Sequence, residues 1–299
     1  MKRLTALLLL LGLWALAGWA QDMPKVSKYV WVEHVQLNPG KGPTFTKYVS
    51  QLKEAVDANS PDLTWIAGTP MTGDMAGFTF ITFHDSFQDM ENFDKSFDKV
   101  QRAAMVKNVA LLNEASESER MAHAEMYKYR EDLSYNPGKV TGPQTTHWRV
   151  TVYHIKPGMT SKFTDLIKEV VSIRKTGNID DTWIAYQAVA GVPNNTFVSV
   201  VPLKSLADMD VDRTAAMDAV YTPAVKRSLD AMAAEAIQSS ETNIMTASPG
   251  MSRPPKTYVA ANPDFWTVKP DELQAAATKT TAKSKSKLKE AAMKEEKKQ

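Results

Sequence analysis

The chain has no cysteine in 299 residues. That excludes disulfides, a thiolate nucleophile, cysteine metal sites and an acylated lipoprotein N-terminus. Cysteine-free export suits an oxidising compartment. Histidine is scarce, at five, with no HExxH motif and no His-x-His pair, so no metal site is expected. There is no P-loop, no GxGxxG after a strand and no nucleophile elbow. Beyond the first twenty residues no run is apolar enough to cross a bilayer, so stable membrane insertion is not expected. A basic body is also missing. The formal charge of +2 is more than accounted for by Lys2, Arg3 and a tail with eight Lys and three Glu, leaving the body net negative. No nucleic-acid partner is expected.

The composition, 43% hydrophobic and 23% charged, is that of a globular protein, and the length suits two units. The N-terminus, MKRLTALLLLLGLWALAGWAQD, sets two cations before an apolar run from Leu4 to about Ala17. It reads as a signal peptide (1–20) cleaved after Gly18-Trp19-Ala20, with Ala15-Leu16-Ala17 as the other candidate. The expected location is therefore periplasmic or extracellular. The Lys-rich stretch 279–299 has no apolar face and is expected to be disordered.

Thr-Trp-Ile-Ala occurs twice, at 64–67 and 182–185. Trp183 follows Trp65 at the spacing by which Pro157-Gly158 follows Pro39-Gly40, Phe163 follows Phe45 and Ser252 follows Ser134. Allowing small shifts, Thr196-Phe197 answers Thr79-Phe80, and Ser205-x-x-Asp208 answers Ser86-x-x-Asp89. A spacing held across a whole segment indicates duplication. YVWVEHVQL and WRVTVYHI read as first strands, ended by Pro-Gly turns. Phe45, Val49, Leu52 and Val56, and likewise Phe163, Leu166, Ile167 and Val170, fall on helical faces. Thr160 or Ser161 is expected to cap the latter helix. Two further strands follow in each copy, then a helix opened by the Ser-x-x-Asp box, then a short strand near 125–130 and near 242–247.

The order β-α-β-β-α-β, twice, predicts an α+β protein. Two tandem ferredoxin-like repeats, 21–137 and 147–257, are joined by a linker at 138–146. A sheet with helices on one face needs cover on the other, so the repeats are expected to pack sheet to sheet as an intrachain barrel in a monomer. Residues 258–278 are read as a C-terminal arm.

On this strand order, on the Trp-bearing second strand, and on TFVSVVPLKSLADMD and YREDLSYNP, the chain resembles the dimeric α/β-barrel (ferredoxin-like) superfamily. It is similar in particular to its exported tandem members of the NIPSNAP type. The resemblance spans about 29–257, and copy two departs from it with TASPGMSRPP. It implies the barrel fold. It leaves the activity open, because the superfamily holds cofactor-free monooxygenases, haem enzymes and plain ligand binders.

His34 and His154 share one face of the first strands and are the candidate catalytic groups, as general base or as haem or metal ligand. Beyond that opening for haem, no cofactor is expected. Glu33, Arg149 and Tyr153 share the opposite face, where they would line a polar barrel interior or hold an anionic ligand. Trp65 and Trp183 read mainly as core and secondarily as ligand contacts. Tyr186 offers a hydroxyl where copy one has Gly68, which would leave room beside Trp65. His84-Asp85-Ser86 is not a triad, since neighbours on a strand point to different sides. The expected function is binding of a small apolar or aromatic molecule. A cofactor-independent monooxygenase, or a structural interaction protein, is the alternative. A polar pocket between sheet and helices in one copy alone would favour the enzyme.

Overall fold

The computed structural model describes residues 26–267, apart from the side chains of 105–107. The expected signal peptide, the Lys-rich tail and the arm beyond Thr267 lie outside the described residues. The first half runs β1 (Tyr29–Leu37), α1 (Gly42–Asn59), β2 (Ile66–Pro70), β3 (Gly77–His84), α2 (Phe87–Lys107), α3 (Val109–Ser118) and β4 (Glu119–Tyr129). The second runs β5 (His147–Ile155), α4 (Thr160–Thr176), β6 (Ile184–Ala190), β7 (Thr196–Leu203), α5 (Thr214–Val220), α6 (Pro223–Ala236) and β8 (Ile237–Ala247). Two short helices follow, α7 (Lys256–Ala261) and α8 (Pro263–Trp266).

The eight strands close into one antiparallel barrel in the order β1-β3-β2-β8-β5-β7-β6-β4. The expected face-to-face packing of two sheets is replaced by joining at the edges. Gly68–Pro70 of β2 pairs with Met245–Ala247 of β8, and Met126–Tyr129 of β4 pairs with Tyr186–Ala190 of β6. An open edge leaves a row of unpaired N–H and C=O groups, and closure removes every such edge. It also creates an interior. Val30, Val32, Ile81, Tyr127, Val150, Val152, Tyr186 and Val198 form one apolar cluster inside. The other sheet face lies under the helices, where Val35, Leu37 and Ala67 meet Phe45 and Val49 of α1.

Three local expectations change. The fourth strands are eleven residues each rather than short stubs. Their first halves, ERMAHAE and IQSSETN, lack the β-branched alternation that marks a strand, and pairing with β1 and β5 extends them. Met159 rather than Thr160 or Ser161 precedes α4, and no side chain caps it. Ile66 pairs with Ile81 and Ile184 with Val200, so Val198, not Thr196, stands where Thr79 does. The first Ser box opens α2 as expected, with Asp89 N donating to Ser86 Oγ at 3.0 Å; the second forms too, but Ser205 caps only a 3-10 turn at Leu206–Met209, and the next helix starts at Thr214.

The recurring tryptophans hold the halves together crosswise. Trp65 Nε1 donates to the Met251 carbonyl, beyond β8, at 2.8 Å. Trp183 Nε1 donates to the Leu133 carbonyl, beyond β4, at 2.7 Å. Ala67 N donates to Ser252 Oγ at 2.8 Å, and Ala185 N to Ser134 Oγ at 2.9 Å. Each half's second strand is thus clasped by the segment that leaves the other half. Beyond this, Trp266 is buried with Ile66 and Ala247, and donates to the Pro143 carbonyl at 3.0 Å.

Candidate functional site

Among the described residues, two cavities are large enough for a small molecule. One, of about 420 Å³, lies between the sheet and α4 in the second half. Arg149, Tyr153, Arg174, Trp183, Phe163 and Phe197 line it, with hydroxyls from Thr151, Ser199, Ser240 and Thr242. The rings are in contact: Tyr153 and Phe163 centroids are 5.5 Å apart, Phe163 and Phe197 4.8 Å. The Arg174 guanidinium lies 5.1 Å from the Trp183 ring centre, donates to Tyr221 OH at 3.1 Å and is ion-paired with Asp181. Arg149 is exposed on the rim, with no ion-pair partner among the described residues. Burial pushes the Tyr153 phenol up, partly offset by Arg149 and Arg174, so it stays a neutral donor.

In the first half the same space is filled. Counted from the two tryptophans, Val56 stands where Arg174 does, and Leu63 where Asp181 does. Both are buried, packed with Leu52, Trp65 and Val100. Phe93 and Phe97 of α2 add to this cluster, and Trp65 meets Phe97 edge-on at 6.4 Å. The second half has only a 3-10 turn and the short α5 in the corresponding stretch. A charged pair on the helix side and a shorter cover leave the hollow.

The other cavity, of about 400 Å³, is the barrel interior. Its walls are Val30, Val32, Ile66, Ile81, Val150 and Val200, with Tyr127 and Tyr186 inside. Trp148, Tyr258 and Trp266 also line it. Its polar lining includes His34, Glu125 and Thr79.

The anticipated site residues therefore separate. Arg149, Tyr153 and Trp183 come together under α4. Arg149 and Tyr153 line the space outside the barrel and not a polar barrel interior, because the inward set on β5 is Trp148, Val150 and Val152. Tyr186 and His34 face the barrel cavity. Burial pushes the Tyr186 phenol up, and its ring lies 6.1 Å from that of Tyr129. Trp65, Glu33 and His154 line neither cavity. Room beside Gly68 is taken, since a Cβ there would meet Trp148 Cζ3 at 3.2 Å. His34 and His154 stand on opposite walls, four strands apart. His154 Nδ1 is 3.4 Å from Thr196 Oγ1. His84 is buried against Thr82 Oγ1 at 2.8 Å and approaches Asp89 rather than Ser86. Residue spacing missed Arg174 and Asp181, which helical periodicity reads as surface charge. It also missed His123, which lies in the unrecognised part of β4, and passed over Glu125 at the edge of the recognised part.

Haem does not fit the cavity under α4. Its lining has no imidazole or thioether to serve as an axial ligand. The one phenol, Tyr153, is held in its protonated form by burial.

No family model matches the chain, and no curated protein matches it. Solved structures do. A candidate monooxygenase from Fusobacterium nucleatum is 13% identical, covering 74% of this chain and 93% of its own, with a TM-score of 0.46. An anthrone oxidase-like protein is 13% identical, covering 76% and 93%, at 0.43. Chlorite dismutase from Candidatus Nitrospira defluvii is 12% identical, covering 80% and 97%, at 0.45. These neighbours are dimeric α/β-barrel proteins. At such identities and scores the likeness carries no argument about chemistry, and the barrel stands on its own ladders.

Proposed function

We propose that the chain is an exported, monomeric barrel of two tandem ferredoxin-like repeats, of the NIPSNAP type. Its second half binds a small aromatic molecule bearing an anionic group under α4. The observation that carries this reading is the asymmetry of the two halves: a filled apolar core in one, and in the other a hollow lined by aromatic rings in tilted contact and two guanidiniums. Apolar walls with a few convergent polar groups are what small-ligand sites need. Arg149 supplies a cation without an internal partner, and Tyr153 a neutral donor. The tandem reading rests on the shared element order and the crossed tryptophan clasps. Export rests on the N-terminal segment alone.

The test is native mass spectrometry of the mature protein from its own host, followed by titration with an anionic naphthalene dye. A retained aromatic acid, and binding weakened about 10- to 100-fold in Arg149→Ala by loss of one charge-assisted contact, is the expected result. Dye affinity indifferent to both Arg149→Ala and Ser199→Phe would overturn it. Light scattering checks the monomer, and fractionation with and without residues 1–20 checks export.

The second reading, a cofactor-independent oxygenase, is favoured by the pocket's presence in one half only. Against it, the lining has no imidazole, and its one carboxylate, Asp181, is held by Arg174. Binding without catalysis needs no such base, so it stands first.

A further inference from the structure

The barrel interior holds a polar cluster that this binding site does not use. The β1–β4 ladder sets His34 directly opposite His123. Glu125 lies two residues further along β4, on the same face. The two imidazoles stack with centroids 4.9 Å apart and planes 25° apart. Both turn Nε2 toward Glu125: His123 is 3.1 Å from Oε1 and His34 is 3.6 Å from Oε2. One ligand atom from each residue lies within 4.8 Å of the others.

We propose that His34, His123 and Glu125 form a three-ligand site for a borderline divalent transition-metal ion such as zinc, at one end of the barrel cavity. Two imidazoles and one carboxylate are a donor set that holds such ions while leaving a coordination position open. The outer contacts fit as well. Thr79 Oγ1 is 3.0 Å from His34 Nδ1, which occupies that nitrogen and leaves Nε2 for the metal. Tyr127 OH donates to Glu125 Oε2 at 2.5 Å, fixing the carboxylate. His123 is exposed and His34 half-buried, so an ion enters from solvent. A tetrahedral zinc shell needs donors about 3.4 Å apart, which rotation of the exposed His123 side chain supplies.

The fold does not demand this cluster. At the matched ladder positions the second half carries Val152, Glu241 and Asn243. The open coordination position faces apolar walls, so the ion would be reached from one side by water and from the other by whatever fills the barrel.

The experiment uses the untagged mature chain stripped with chelator. Zinc is titrated in competition with a chromogenic chelator, and cobalt(II) is added to read its visible ligand-field bands. One zinc per chain and a tetrahedral or five-coordinate cobalt spectrum are expected. His123→Ala, whose side chain is exposed and dispensable for folding, and Glu125→Gln should each weaken zinc at least tenfold and lose the cobalt bands. Thr79→Val should weaken it by about 10- to 100-fold with the bands retained but shifted. His154→Ala, which removes a histidine that lines neither cavity, should bind as wild type. No stoichiometric uptake, or uptake unchanged in His123→Ala, would show a hydrogen-bonded cluster only and overturn the proposal. The dye titration under α4 reads a different cavity, so either result can fail without the other.

Discussion

Replacing Trp65 and Trp183 by alanine, one at a time, measures how differently the two halves are packed. Both indoles are buried, with 5% and 9% of their surface exposed. A tryptophan removes about 200 Å² from water, which at ~25 cal/mol per Å² is about 5 kcal/mol. A compact unfolded chain lowers this figure, and measured losses for aromatic-to-alanine changes run about 3–5 kcal/mol. Each variant also deletes one Nε1–H···O bond and strands a buried carbonyl, that of Met251 or of Leu133, so this contribution is shared. Trp65 is packed on all sides by Leu52, Val56, Val100 and Phe97. Trp183 has the 420 Å³ cavity on one side, where contacts are already missing. Trp65→Ala should therefore fall at the upper end of the range and Trp183→Ala at the lower end. Urea unfolding followed by far-UV circular dichroism, with m-values compared to confirm a common transition, gives both numbers. Equal losses, or a larger loss at Trp183, would mean that the hollow under α4 is closed in solution, and the asymmetry behind the binding site would fall with it.

Arg174→Val should destabilise by about 2 kcal/mol by stranding Asp181, less than a fully buried pair because the two side chains keep 17% and 18% exposure. Adding Asp181→Leu, which copies Val56 and Leu63 of the first half, should recover that loss and abolish dye binding. Calorimetric melting of the single and double variants decides it. Gly77→Ala places a Cβ 1.9 Å from the Val35 carbonyl oxygen and should cost about 1–3 kcal/mol or more, since backbone in the β1–β3 ladder cannot step aside; a melting point equal to wild type would contradict the register. Hydrogen bonds from Arg130, with the charges of Arg130 and Lys168, outweigh partial desolvation and lower the Asp132 carboxyl from the usual 3.8 to about 2. The unfolded chain takes up that proton first, so the stabilisation is complete above about pH 4 and is lost as pH falls toward 2. Asp132→Asn should flatten this acid limb of the stability profile, as followed by denaturant titration at successive pH values.

What the sequence by itself determined is local or repeated. Alternation in YVWVEHVQL and WRVTVYHI marks first strands and sorts their residues into two faces, because a strand's period of two needs no partner to be read; that the Val30-Val32-His34 and Trp148-Val150-Val152 faces line the barrel was decided by closure. Pro39-Gly40 and Pro157-Gly158 mark turns through the positive φ that Gly40 and Gly158 adopt. The doubled Thr-Trp-Ile-Ala marks two matched second strands. Only the tertiary structure decided how the halves meet, since edge pairing of β2 with β8 and of β4 with β6 is carried by backbone groups that every residue possesses. It also lengthened β4 and β8, whose polar first halves have no strand signature until β1 and β5 pair with them, and so brought His123 and Glu125 to His34. The hollow under α4 was equally out of reach: Arg174 and Asp181 read as solvated charges until folding sets them against Trp183, where Val56 and Leu63 close the first half.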